Sequence, residues 1–144
     1  MQFIKALLII LFPLFLQAQK TNEPTIVYPL LEQFIAEAYN RDIPVYHKIQ
    51  DIDSISSVLL NYPITGIHIR QGRKHWIMIH KNREGRQLEK TFYHEVGHVF
   101  GLKHSDNPNT IMFSGSYSEW LENEKNWQKA KDEYFKLLKI NVWN

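Results

Sequence analysis

A helix cannot run unbroken through His94-Glu95-Val96-Gly97-His98-Val99-Phe100-Gly101-Leu102-Lys103-His104 and still use its three histidines together. In an α-helix, His98 follows His94 by about 40° around the axis and roughly 6 Å along it, so the two rings share a face. His104 would stand about 15 Å beyond His94 and about 80° off that face. The helix must therefore stop, and Gly101 lets it. Glycine takes the left-handed, helix-ending conformation without a Cβ penalty, and the chain then turns His104 back toward the other two rings.

Three imidazoles gathered in this way match the donor set of one Zn²⁺ at roughly 2.0–2.1 Å, with the fourth position left to water. That open position marks a catalytic rather than a structural metal site. Glu95 lies about 100° round from His94. It is too far round to share the metal, but long enough to hold a water there, which is the general-base position of an H-E-x-x-H pattern. Chance produces the five specified positions on the order of once in 10⁵ chains of this length.

The rest of the composition narrows the setting. With 144 residues, 44% of them hydrophobic, the chain holds one domain's worth of core. Lys5 precedes an apolar run from Ala6 to Leu16, broken by Pro13 and followed by Gln17 and Ala18. The run is too short to span a bilayer and suits a signal-peptide core, so residues 1–18 are expected to be removed after Ala18, leaving 19–144 as the domain. The product is expected to be secreted or periplasmic, monomeric, and without stable membrane insertion.

Seventeen basic and fifteen acidic residues argue against nucleic acid as the main partner. The basic cluster of Arg70, Arg73, Lys74, Lys81, Arg83 and Arg86 reads as a solvated hairpin and helix start. There is no cysteine, hence no disulfide framework and no thiolate to block a metal before maturation. Glu23 is the nearest candidate for a short carboxylate plug.

Along the chain, Pro29 opens an expected first helix carrying Leu31, Phe34, Ile35 and Ala38, ended at Asn40-Arg41-Asp42. Val45 to Gln50 reads as a strand, followed by a short helix capped by Asp53 or Ser54 and carrying Ile55, Val58 and Leu59. Ile64–Arg70 and His75–Lys81 read as a β-hairpin around Gln71-Gly72-Arg73-Lys74. The active-site helix is expected over 82–100, with Leu88, Phe92, Val96 and Val99 turned away from the histidines. Ser116-Tyr117-Ser118-Glu119 has the form of a capping box before a long amphipathic helix reaching Ile140. His47, His68, His75 and His80 read as surface histidines; His68 and His75 facing each other across the hairpin would be the place for a second ion.

The segment HEVGHVFGLKH, with Ser105, Pro108 and Ile111-Met112 after it, resembles the metzincin zinc metallopeptidases, and within them the matrixin branch. The resemblance runs from about Thr91 to Met112. It implies that Met112 forms a methionine turn under the metal, that Gly101 is structural beside it, and that Phe113 to Tyr117 line the pocket for the residue after the cut. It also implies that one hairpin strand borders the cleft and pairs with an extended substrate. Phe113-Ser114-Gly115-Ser116-Tyr117 departs from the matrixin Tyr-Pro pair, and calcium loops and a second zinc constellation are missing, so the chain resembles a compact, divergent member. The fold class expected is α+β: a small zincin-like single domain with a mixed β-sheet, an active-site helix, a Met-turn and a C-terminal helix.

The function expected is a secreted zinc endopeptidase acting on protein or peptide substrates. His94, His98 and His104 hold Zn²⁺, and Glu95 activates the zinc-bound water. Two alternatives stand beside it. One is a gluzincin-type site with Glu119 or Glu122 as third ligand, which leaves Gly101, His104 and Met112 without a purpose. The other is a secreted, non-catalytic binding protein on a zincin scaffold, for which Glu95 would be superfluous.

Overall fold

The structure, a computed structural model, describes residues 27–143. The expected signal peptide and Glu23 lie outside that range. The element order is α1 (Val27–Asn40), α2 (Tyr46–Ile49), β1 (Ile52–Val58), β2 (Gly66–Gln71), β3 (Lys74–His80), α3 (Gly85–Val99), a 3-10 turn (Glu119–Glu122) and α4 (Glu124–Asn141). The described strands form a mixed sheet in the order β1-β3-β2, with β1 parallel and β2 antiparallel to the central β3. This is the expected α+β arrangement.

The hairpin forms as its alternation dictates. Ile77 and Ile79 of β3 are fully buried while Trp76, Met78 and His80 face the other way and are half-buried. The three helices α1, α3 and α4 pack their apolar stripes on one another and on that sheet. Phe34 and Ala38 of α1, Phe92, Val96 and Val99 of α3, and Trp127, Tyr134 and Leu138 of α4 meet in the core. The recurrence Trp127, Ala130, Lys131, Tyr134, Phe135, Leu138 is the wide stripe of a core-facing helix.

The stripe includes a charge. Lys131 is buried and donates to Glu37 Oε1 at 2.8 Å, and the same oxygen accepts from the Tyr93 hydroxyl at 3.3 Å. Glu37 thereby ties α1 to both α3 and α4. The Tyr134 hydroxyl donates to the Tyr93 carbonyl at 2.7 Å, which fixes the back of α3.

Two elements differ from expectation. Val45–Gln50 is not a strand: Val45 caps α2, and Val45 and Ile49, one turn apart, are both buried. The segment expected as a helix after Asp53 is β1. Its pairing with β3 slips between Ile52 and Ser54, so Ile52 and Ile55 both face the core despite their odd spacing. That bulge imitated helical periodicity in the sequence. Asp53 does not cap; its carboxylate accepts from Lys74 Nζ at 3.0 Å and Trp76 Nε1 at 3.1 Å.

The last helix also starts later than expected. Ser116 is exposed, Ser118 Oγ donates to Asn109 Oδ1 at 2.9 Å, and Asn123 caps α4 by accepting from the Asn126 amide. The 3-10 turn before it buries Leu121.

Candidate metal centre and cleft

Helix α3 ends where the spacing requires. Gly101 has φ 79°, in the left-handed region. The Leu102 amide donates to Gly97 O and the Gly101 amide to His98 O, both at 3.0 Å, which is the paired closure of a Schellman motif. The same turn orients a ring, because the Leu102 carbonyl lies 2.9 Å from His98 Nδ1. The loop beyond His104 is closed by the Ser105 amide on Met112 O at 3.0 Å, and it presents Ile111 O to His94 Nδ1 at 2.9 Å.

These carbonyls decide tautomers. A carbonyl only accepts, so Nδ1 of His94 and of His98 each carries the proton and leaves a lone pair on Nε2. His98 Nε2 lies 3.2 Å from His94 Nε2 and 3.1 Å from His104 Nε2. Ligand atoms of the three residues all fall within 4.8 Å of one another. Nitrogens at two corners of a tetrahedron with bonds of 2.0–2.1 Å are about 3.3 Å apart. The donor set thus fits a zinc ion. Without a cation between them, the two outward lone pairs of His94 and His98 repel. Glu119 and Glu122 lie outside this cluster.

The centre's other groups are set by burial. Desolvation brings His94 down to about 4, helped by His98 and Lys90 and opposed by its bond to Ile111. Burial also lowers His98, with His104 adding to it. Both rings are therefore neutral near pH 7, as metal ligands must be. Burial pushes the Glu95 carboxyl up to about 7, against the pull of the Lys90 ammonium.

Met112 is buried against helix α3, and its position needs Gly97. A Cβ on Gly97 would stand 2.6 Å from Met112 Sδ and 3.1 Å from Tyr134 Cε2. The turn at Met112 thus sits against bare helix backbone.

A cleft of about 720 Å³ opens over the centre. The wall opposite α3 is Tyr62 to His68, so the strand at the rim is β2, whose outer edge has no sheet partner among the described residues. Phe113 to Tyr117 also line the cleft. The Tyr117 hydroxyl is buried, and burial followed by the Glu122 carboxylate drives its pKa upward.

Three residues were not assigned to the cleft from the sequence. Gly66 begins β2 so close to α3 that a Cβ there would lie 2.5 Å from Glu95 Oε1 and 2.8 Å from Thr91 Cγ2. A glycine inside an alternating strand is the signal that pointed to it. Lys90, one turn before His94, is on the same helix face and lines the cleft. His68 is no surface histidine either: it lines the cleft, stacks on His98 with ring centroids 6.0 Å apart, and has Nε2 2.7 Å from Nδ1 of buried His75. His68 and His75 do face each other, but no third ligand joins them among the described residues.

The matrixin family model matches residues 59–138, from the end of β1 into α4. The chain is a matrixin. As a family these are zinc metallopeptidases of the metzincin type, which agrees with the α+β fold and the histidine cluster. No curated protein and no solved structure shows significant similarity to it. Matrixins are typically secreted, and no helix of the described residues is long and apolar enough to cross a membrane.

Proposed function

We propose that this matrixin is an exported zinc endopeptidase in which His94, His98 and His104 hold the metal and Glu95 is the general base. The observation that carries the reading is the convergence of two Nδ1-protonated imidazoles and His104 onto one point beside a buried carboxylate. Zinc bound there supplies a Lewis acid, acidifying water and polarising a peptide carbonyl.

The chain's own residues supply the rest. Glu95 accepts a proton from the attacking water as its oxygen bonds to the carbonyl carbon, and returns that proton to the leaving amine as the C–N bond breaks. Gly66 keeps the space above Glu95 free of side chain. The free edge of β2 offers backbone N–H and C=O groups to an extended peptide, which binds as an added strand. Residues 1–18 are proposed as the export signal, so the mature chain would begin at Gln19, which N-terminal sequencing of exported protein tests.

Glu95→Ala is expected to keep one zinc per chain and to lose cleavage of a peptide library. Retained cleavage would remove Glu95 from its role. No cleavage by zinc-loaded, matured wild type would favour a binding protein on this scaffold. Zinc content separates the ligand sets: His104→Ala is expected to lose the metal and Glu122→Ala to keep it.

A further inference from the structure

We propose that the cleft selects peptides carrying an acidic side chain immediately after the scissile bond, and that Lys90 is the residue that selects it. The inference rests on the peptidase reading and adds the substrate class.

Lys90 is an unusual wall for a cleft. The residue is only 8% exposed, and its ammonium donates to the Phe113 carbonyl at 2.7 Å. Among the described residues no carboxylate forms an ion pair with it. An ammonium has three protons to give, and one is used here. Arg83 lines the same cleft. Glu95 is the one carboxylate in that lining, and the reaction commits it to carrying a proton. The walls therefore hold two cations against one carboxylate, which makes no ion-pair contact with Lys90 and which the reaction uses as its base. Withdrawing an ammonium from water without a partner is costly, and a carboxylate from a bound ligand offsets that cost with a charge-assisted hydrogen bond.

The side of the cut follows from the chemistry. Glu95 must reach the leaving nitrogen, so that nitrogen lies on the Glu95 side of the histidines. The residue after the cut is bonded to that nitrogen. Its side chain enters the part of the cleft between Gly66, Lys90 and the Phe113–Tyr117 segment, where Ser114 and Ser116 add hydroxyls. A Glu or Asp side chain seated there meets Lys90 first.

A purely structural role for Lys90, as a strut holding Phe113, makes a different prediction. Losing the strut would slow all substrates alike, whereas losing a selector changes their ratio. The test digests peptide libraries with zinc-loaded protein, maps the cuts, and then compares peptides differing only in Glu, Gln or Leu after the cut. Wild type is expected to favour Glu over Gln by about tenfold in kcat/KM. Lys90→Met should erase that ratio and Lys90→Arg should retain it. Arg83→Gln, at a more exposed position, should narrow it by a few-fold and serves if Lys90→Met does not fold.

A wild-type preference for Leu, or an equal loss on all three peptides in Lys90→Met, overturns the proposal. If wild type cuts nothing, the peptidase reading fails separately. Calorimetry of the Glu and Leu peptides with the zinc-loaded protein then decides: tighter Glu binding that Lys90→Met abolishes supports the pocket, and equal or absent binding overturns it.

Discussion

The two walls of the cleft are specified over different distances along the chain. The α3 wall is local: His94, Glu95 and His98 share a helical turn, Gly101 ends it, and the loop through His104 to Met112 folds back within a few residues. The β2 wall is not. It reaches the cleft only because β3 pairs with β1 on one side and with β2 on the other, and because Gly66 carries no side chain. The first wall sets which atoms can react; the second sets what may lie over them. The histidine wall also has lone pairs that a cation must reconcile, whereas the strand wall needs only packing.

The largest effect should come from the metal. Zinc at a thousand times its Kd is expected to raise the unfolding free energy by about 4 kcal/mol, and His104→Ala should remove most of that gain. Denaturant melts with and without chelator measure it. Equal stability in both would mean that the histidine wall is held by packing, and the contrast between the walls would vanish.

Next comes the rim. Gly66→Ala places a methyl 2.5 Å from Glu95 Oε1 and is expected to lower kcat on the order of 10²-fold while zinc content stays at one per chain. Steady-state kinetics beside metal analysis reads this. An unchanged kcat would show that the strand yields and does not set the space above the base.

A smaller effect is expected under the metal. Gly97→Ala overpacks Met112 and Tyr134 and should cost about 2 kcal/mol, measured by denaturant unfolding of the chelated protein so that metal does not enter. Full stability would mean that the methionine floor is soft.

The smallest effect is a pH dependence. Burial, reinforced by Arg83, brings Lys90 down to about 8 from an ordinary 10.5. Between those values the unfolded chain binds more protons than the folded one, so this group adds stability as pH rises through that window. The gain should be on the order of 1 kcal/mol and absent from Lys90→Met, read as the difference between the two proteins' melts at pH 9 and pH 10. A parallel response would show that Lys90 is well solvated and would weaken its part in the strand-side cleft.

How much of this was legible differs by element for physical reasons. The hairpin, the active-site helix and the C-terminal stripe were readable because alternation and helical periodicity each bury one face. The segments at β1 and α2 were misread in opposite senses. A bulge at β1 put Ile52 and Ile55 on one side, and a single turn at Val45–Ile49 was too short to show a period. His75 looked like a surface residue because its burial depends on packing that no local pattern records. Gly66 was visible as a letter but not as a constraint, since the atom it avoids belongs to Glu95 on another element.

By itself the sequence determined the candidate site: three imidazoles and a carboxylate at spacings that one helix and one glycine turn bring together. Helical geometry is local and nearly invariant, so spacing along the chain translates directly into direction in space. The tertiary structure alone decided which strand borders the cleft, which carbonyls hold the protons on His94 and His98, and that Lys90 lies buried in the cleft with no ion-paired carboxylate among the described residues. Those depend on contacts between segments far apart in sequence, where burial and charge are properties of the assembled fold and not of any one stretch of it.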